Sequence, residues 1–454
     1  MSLEDTAAFC ATQRDRRIDG APRISCHDWQ MALEITAARP DPVLLDLPWS
    51  VPLEDWPDER LAALPRGLSR HVVRFVKVPG TIIAVKEIKA EVAQREYNML
   101  RFLKKIGQPC VQPFGVVSGR VGADGEELDA CLLTTHLHFS LPYRALFSQS
   151  LRPDTAQRLI DALAVLMVRL HLAGFWWGDV SLSNTLFRRD AGAYAAYLVD
   201  AETGEVRSTL SKGQREHDLD IARVNIAGEL MDLEAGGFLA RTVDPIQVSQ
   251  TIVDRYRSLW RELTGQERFE QGCRWRVDDR IRRLNELGFD VDELTISTDF
   301  GGATIQIQPK VVDAGHHSRR LMRLTGLDVE ENQARRLLND LDSFRAAQDR
   351  QNDDEALVAH DWLSTVYEPV IRTVPRDLTR KLEPAEVFHE VLEHRWYMSE
   401  DAGHDIPIRE VIADYLRNVL PGKPDEAAVL GDDSGEVPAA TVPATQKRGR
   451  QVTR

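Results

Sequence analysis

The hydrophobic pattern changes from a β type to an α type near residue 136. Short apolar runs predict four strands, over residues 71–78, 81–88, 111–117 and 130–135. A helix predicted over residues 90–106 lies between the second and third of these strands and ends at Gly107-Gln108-Pro109. We therefore expect the order β, β, α, β, β, followed by a mainly helical remainder.

Helical spacing begins at residue 154. Leu159, Leu163 and Leu170 share one face of a helix predicted over residues 154–173, with Gly174 as its C-cap. The later part of the chain gives a short hairpin, helical patterns and a second hairpin, predicted at 185–187 with 197–199, at 217–262 and 274–421, and at 293–298 with 303–308. The fold class predicted from this pattern is α+β.

The two ends of the chain show neither periodicity. Residues 1–60 are rich in Pro, Asp and Trp, and the prolines of the run 47–52 cannot lie inside a helix. We expect an extended arm that packs on the next domain through Trp49 and Trp56. Residues 422–454 are rich in Gly, Asp, Pro and Thr, which predicts a disordered tail.

The composition is that of an ordinary globular protein, with 454 residues, 43% hydrophobic and 28% charged. No run of about 20 apolar residues and no secretory signal is seen. The five cysteines are scattered without a CxxC pair, so neither a zinc site nor a disulfide framework is indicated and we expect a cytoplasmic protein. The net charge of −14 disfavours a nucleic-acid partner, which normally meets a basic surface.

Polar residues suited to phosphoryl transfer occur in a fixed order along the chain. Lys86 ends the apolar run 82–85, Asp179 and Asn184 are five positions apart in a loop, and Asp200 follows a short apolar strand. Phosphoryl transfer depends on positioning and charge neutralisation. It needs a lysine for the nucleotide phosphates, an aspartate for the acceptor hydroxyl and oxygen ligands for magnesium.

These motifs resemble those of the protein-kinase-like superfamily. Residues 178–184 read G-D-V-S-L-S-N, similar to the loop H-G-D-x-x-x-x-N of aminoglycoside and choline phosphotransferases, and residues 199–202 read V-D-A-E, similar to their metal motif I-D-x-E. The whole chain also resembles a bacterial lipopolysaccharide-kinase-like family of the Kdo/WaaP type. In that family a kinase-like domain precedes a C-terminal domain of unknown function.

The resemblance implies a two-lobed protein-kinase-like fold followed by a mainly helical C-terminal domain. The implied divisions are an arm, an N-lobe, a C-lobe, a helical domain of unknown role and a tail, at residues 1–60, 61–137, 138–273, 274–421 and 422–454. ATP is expected between the two lobes.

The resemblance also implies a nucleotide site. Lys86 would contact the α- and β-phosphates, and a glutamate of the following helix would hold it. Glu96 is the first choice for that glutamate, but the short interval after Lys86 leaves Glu91 as an alternative. The phosphate-covering loop, residues 65–70, contributes Gly67, its single glycine. The connector between the lobes contributes Thr135 and Leu137, whose backbone would meet the adenine.

Asp179 is the predicted catalytic residue, and Asn184 and Asp200 are the predicted magnesium ligands. Asp218 is placed where the superfamily keeps an aspartate that supports the catalytic loop from beneath. Trp177 stands in place of the histidine of that loop. This departure favours a protein that binds nucleotide without turnover.

The predicted function is an ATP- and magnesium-dependent phosphotransferase whose acceptor is a hydroxyl of a small molecule or glycan. The G-D pair in place of R-D indicates this class of acceptor. Two alternatives stay open, namely a pseudokinase that binds nucleotide or acts as a scaffold and an AMP transferase. A protein partner is possible through the C-terminal domain, whereas no nucleic acid and no transmembrane segment are expected.

Overall fold

The computed structural model describes residues 33–38, 41–62, 71–147, 153–241, 243–270, 275–298 and 304–427. The predicted phosphate-covering loop with Gly67 and the segment beyond residue 427 lie outside the described residues. None of the helices in the described part has both the length and the apolar composition needed to cross a membrane.

A five-stranded antiparallel sheet with one helix forms the N-lobe. Its strands are β1 (Glu34–Ala37), β2 (Val73–Val78), β3 (Thr81–Ile88), β4 (Gln112–Ser118) and β7 (Ala130–Thr135), in the spatial order β1-β4-β7-β3-β2. Helix α1 (Ala90–Lys105) follows β3, and the short strands β5 (Arg120–Val121) and β6 (Glu127–Leu128) form a hairpin between β4 and β7. The predicted order β, β, α, β, β is therefore present. The sequence missed β1, a strand that the arm adds beside β4.

The two faces of this sheet have different partners, because successive residues of a strand point to opposite sides. On one face Ile88 and Leu132 pack with Tyr97 of α1. On the other face the arm covers the sheet through Trp49 and Trp56, as the sequence predicted. The two indole rings meet edge to face with their centroids 5.2 Å apart.

Arg120 fastens the arm to the sheet. Its guanidinium, 1% exposed, donates to the carbonyls of Trp49 at 3.0 Å and Val51 at 2.7 Å. It also donates to the carbonyl of Asp129 at 2.6 Å and to the carboxylate of Glu87 at 2.5 Å. One buried cation thus joins the arm, β3 and the β5–β6 hairpin.

The C-lobe is mainly helical. Its elements are β8 (Ser140–Pro142), α2 (Tyr143–Leu146), α3 (Pro153–Leu172), β9 (Phe175–Trp176), β10 (Thr185–Asp190), β11 (Ala193–Leu198), β12 (Glu205–Val206), α4 (Lys212–Ala235) and α5 (Pro245–Thr264). The predicted apolar face of α3 is buried in the core of this lobe. The β10–β11 hairpin is twice as long as predicted, because pairing continues to Asp190 and Ala193.

The last part of the described chain has two kinds of packing. The strands β13 (Glu267–Glu270), β14 (Phe289–Thr298) and β15 (Thr304–Ala314) form a sheet with helix α6 (Trp275–Glu286) beside it. Leu284 and Phe289 of this region belong to the C-lobe core. The predicted boundary at residue 274 therefore falls within a stretch that shares that core.

A second core lies among helices α7 (His316–Thr325), α8 (Glu331–Ala347), α9 (Glu355–Trp362), α10 (Glu368–Arg372), α11 (Pro384–Ala402) and α12 (Ile408–Asp414). Trp362 and Tyr415 are buried at its centre. Ordered packing continues past residue 421, where the sequence places the tail, because Glu426 is buried and pairs with Arg189. The α+β fold class, with a mainly helical C-terminal region, is confirmed.

Candidate active site

Lys86 of the N-lobe forms an ion pair with Asp200 of the C-lobe. It lies on β3, on the same face as Ile88, and its Nζ is 3.1 Å from Glu96 and 2.7 Å from Asp200. A third carboxylate, that of Glu202, is 3.3 Å away. Burial lowers the pKa of Lys86, but Glu96 and Asp200 outweigh it and raise that pKa above its ordinary value. The ammonium therefore stays charged.

Glu96, and not Glu91, holds the lysine. Glu96 lies on the inner face of α1 with 1% of its surface exposed, and its second oxygen accepts the N–H of Ala201 at 3.2 Å. Glu91 is exposed, because five positions along a helix turn it well away from Glu96. Burial and the nearby Asp200 raise the pKa of Glu96.

Gly178 shapes the backbone of the predicted catalytic loop just before Asp179. This glycine has φ +77°, and a Cβ there would lie 2.9 Å from the ring of Trp176, so only glycine fits. The Asp179 carboxylate accepts hydrogen bonds from the Nδ2 groups of Asn184 at 3.1 Å and Asn225 at 3.2 Å. Two amides thus fix the orientation of this carboxylate.

Asn184 and Asp200 lie together at the base of the β10–β11 hairpin. Thr185 pairs with Leu198, and the N–H of Val199 donates to the Asn184 carbonyl at 3.0 Å. Asn184 makes its side-chain hydrogen bonds through Nδ2, so its Oδ1 can serve as a metal ligand. Carboxylate and amide oxygens are ligands that magnesium accepts, so this pair fits the predicted metal.

The connector between the lobes runs from Thr135 to Leu137. Thr135 ends β7 and pairs with Ile83, whereas the Leu137 carbonyl accepts the Ser140 hydroxyl at 2.6 Å. A carbonyl has two lone pairs, so a second donor can still bind there. Burial, with His138 nearby, lowers the pKa of His136 to about 4, which keeps the connector uncharged.

Two stretches of the chain match known protein families. Residues 83–227 match the lipopolysaccharide kinase (Kdo/WaaP) family, and residues 258–420 match a domain of unknown function, DUF4032. We call these two stretches the Kdo/WaaP region and the DUF4032 region, after the families that they match. The predicted resemblance is thereby confirmed, and the family match supports a kinase-like phosphotransferase.

A solved structure described as WaaP in complex with acyl carrier protein is 18% identical to this chain. The match covers 51% of this chain and 100% of that one, with a TM-score of 0.31. No curated protein matches the chain. Of the predicted site residues, Gly67 alone lies outside the Kdo/WaaP region.

Helix α4 supplies site residues that the sequence did not identify. Asn225 orients Asp179, and the carboxylate of Glu229 accepts the N–H groups of Leu182 at 2.7 Å and Ser183 at 2.9 Å. With Asp218 these residues are spaced i, i+7 and i+11, which puts them on one helix face. That polar stripe, within an otherwise apolar face, is the signal that could have found them.

Asp218 supports the loop from beneath, as the sequence suggested. The side chain is fully buried, and its two oxygens accept the N–H groups of Trp177 and Gly178, each at 2.8 Å. His171 approaches the same carboxylate at 3.1 Å. Asp218 thus fixes the backbone just before Asp179.

Trp177 is buried in the Kdo/WaaP region and is hydrogen-bonded to the backbone. It is 1% exposed, and its indole N–H donates to the carbonyl of Asp200 at 2.9 Å. The residue that replaces the expected histidine thus holds the backbone of the predicted metal-binding segment. With tryptophan at this position the Asp200 carbonyl has a hydrogen-bond donor.

Removal of the Trp177 donor should weaken metal binding. In Trp177→Phe the Asp200 carbonyl loses its partner, and we expect a loss of about 1–3 kcal/mol in the free energy of unfolding together with weaker magnesium-dependent nucleotide binding. Trp177→His keeps an N–H donor and should retain more of that binding. Chemical denaturation and calorimetric titration measure the two effects, and equal binding by both variants would contradict the role of the donor.

Proposed function

We propose that the protein is an ATP- and magnesium-dependent phosphotransferase that acts on a hydroxyl of a small molecule or glycan. The observation that carries this proposal is the meeting of Lys86 with Glu96 and Asp200, 114 positions further along the chain, at distances of 3.1 and 2.7 Å. A lysine on a strand, a glutamate on the next helix and an aspartate after a hairpin are the groups that kinase-type transfer uses.

Each residue has a separate task in this proposal. Lys86, held by Glu96, neutralises the α- and β-phosphates of the nucleotide. Asn184 and Asp200 offer oxygen ligands to magnesium, which supplies further neutralisation of the phosphates when bound. Asp179 accepts the hydrogen bond of the acceptor hydroxyl and receives its proton during transfer. Thr135 and Leu137 offer backbone groups to the adenine.

The geometry around Asp179 supports this division of tasks. The amides of Asn184 and Asn225 each donate to one of its two oxygens. This fixed orientation supports Asp179 as the carboxylate that meets the acceptor hydroxyl. The glycine before Asp179, in place of an arginine, supports a small-molecule or glycan acceptor.

A nucleotide-binding module without turnover is the second candidate function, and Trp177 at the histidine position favours it. The two candidates share nucleotide binding and differ in turnover. The third possibility, AMP transfer, differs in which phosphate leaves ATP. One experiment can separate them because the α- and γ-phosphates can be labelled independently.

The test incubates the full chain with magnesium and ATP labelled at either the α- or the γ-phosphate. We expect magnesium-dependent release or transfer of the γ-label by the wild type, and loss of that activity in Asp200→Ala. Asp220→Ala, an exposed aspartate of α4, is the matched control and should behave as the wild type. Transfer of the α-label would indicate AMP transfer, binding without turnover would indicate the module, and no nucleotide binding would contradict the proposal.

A further inference from the structure

The β10–β11 hairpin connects the candidate magnesium ligands to the DUF4032 region. Its base carries Asn184, just before β10, and Asp200, two residues after β11. Six residue pairs join the strands, so its tip at residues 190–192 lies about 20 Å from that base. The tip is thus far from the cleft, although it belongs to the same short element.

The tip packs against helices α8 and α11, with Asp190 buried and Gly192 exposed. Asp190, 3% exposed, accepts the backbone N–H of Gln333 at 2.7 Å and the side-chain amide of Asn332 at 2.9 Å. The N–H of Ala191 donates to Glu386 at 2.8 Å. Gln333 closes the network, because its Nε2 donates to Glu386 at 3.0 Å and to the Arg189 carbonyl at 3.2 Å.

The sides of the hairpin add complementary charge to this contact. Arg188 lies between two carboxylates of the C-terminal region, with Glu330 at 3.0 Å and Glu383 as its second partner. Glu330 also accepts the Tyr197 hydroxyl at 2.5 Å. A further ion pair joins Arg189 to Glu426 at 2.6 Å. We call this set of contacts, together with those of the tip, the hairpin junction.

The chemistry of the hairpin junction is better suited to fixing the orientation of the hairpin than to raising the stability of the whole fold. Buried charges lose their hydration, and this loss offsets much of their mutual attraction. An apolar contact of the same area would therefore stabilise the chain to a similar degree. The polar groups of Asp190, Gln333 and Glu386 are hydrogen-bonded to one another or to the hairpin backbone, and a shift would leave one of them buried without a partner, so the contact favours one arrangement. Burial of the Asp190 carboxyl, with Glu330 nearby, raises its pKa to about 7.

We propose that the DUF4032 region positions the magnesium ligands of the Kdo/WaaP region through the hairpin junction. Asp190, Gln333 and Glu386 are positioning residues in this scheme. They fix the far end of the hairpin and thereby fix where its base presents Asn184 and Asp200. The inference rests on the proposed function for the statement that Asn184 and Asp200 bind magnesium. It rests on the hairpin contacts for the coupling between these two residues and the DUF4032 region.

The test first disrupts the hydrogen bond between Asn332 and Asp190 and then restores it with donor and acceptor exchanged. Asp190→Asn places an amide opposite the amide of Asn332, and Asn332→Asp places two carboxylates opposite each other. The double variant Asp190→Asn/Asn332→Asp restores a donor–acceptor pair with the roles exchanged. For each single variant we expect about a 10-fold rise in the magnesium concentration that half-saturates ATP binding, as for other residues that orient metal ligands indirectly. The double variant should recover most of that loss.

A second measurement is independent of nucleotide. Hydrogen exchange of the segment 177–203 should be faster in Asp190→Asn than in the wild type when no ligand is present, and the double variant should restore protection. If the wild type binds no ATP, the proposed function fails, yet the exchange experiment still tests the coupling. Unchanged exchange of this segment in Asp190→Asn would overturn the inference.

Val358→Ala is the matched control for stability. Val358 is buried in the second core and lies outside the junction, so its truncation lowers the melting temperature without altering the hairpin contacts. We expect the magnesium requirement of this variant to equal that of the wild type. If Val358→Ala and Asp190→Asn raise the requirement equally at equal loss of melting temperature, the junction has only a structural role and the inference is overturned.

Discussion

Asp179→Asn should slow phosphoryl transfer about 10²–10⁴-fold, the range expected for loss of a positioned general base. Magnesium-dependent ATP binding should stay close to wild type, because the ion-pair cluster of Lys86, Glu96 and Asp200 stays intact in this variant. Initial rates with γ-labelled ATP give the first quantity, and calorimetric titration gives the second. The expected pattern is a fall in turnover with little change in nucleotide affinity.

The matched control is Asp220→Asn. Asp220 lies on α4, the helix that contributes Asn225 to the site, but its side chain is exposed. This variant should keep wild-type turnover and affinity. If Asp179→Asn retains full turnover, Asp179 is not the base and the assignment of the acceptor side is wrong. If affinity falls as far as turnover, the residue supports the fold of the loop instead.

Arg120→Ala should produce the largest loss of stability, about 3–5 kcal/mol in the free energy of unfolding. The guanidinium is buried and donates to the Glu87 carboxylate and to three backbone carbonyls. Its removal leaves Glu87 as a largely buried charge without that partner, and it frees the arm at Trp49 and Val51. Urea denaturation measures the change, and exchange of the arm amides should increase with it.

Two further variants show which property of Arg120 accounts for the loss of stability. Arg120→Lys keeps the charge but loses the planar fork, so it should recover only part of the stability. Arg60→Ala removes an exposed arginine of the same arm and should change the free energy of unfolding by less than about 0.5 kcal/mol. A loss below 1 kcal/mol in Arg120→Ala would mean that apolar packing of Trp49 and Trp56 alone holds the arm.

The limits of sequence reasoning are clearest in two elements. Strand β1 has only four residues, too few for a period of two to show, and its partner β4 lies about 80 positions away. The outer half of the β10–β11 hairpin carries Arg188, Arg189 and Asp190, which are typical of a solvated loop. Arg188 and Arg189 are half-buried and Asp190 is buried because the C-terminal region supplies opposite charges and amide donors.

Local patterns determined the order of elements and the positions of the four leading residues, Lys86, Asp179, Asn184 and Asp200. They could do so because hydrophobic spacing and short motifs depend on neighbours within a turn or a strand. In the structure Glu96 pairs with Lys86, and the choice over Glu91 depended on which face of α1 is buried. That face is set by the sheet on which the helix packs.

Only the tertiary structure decided how distant residues share one site. Asn225 and Glu229 reach the catalytic loop because α4 crosses beneath it, and Asp200 reaches Lys86 because the two lobes close on each other. Contacts of this kind join residues more than 40 positions apart, and their geometry depends on the packing of whole elements. Residue types along the chain determined which chemistry is available, and packing determined which of these groups can act together.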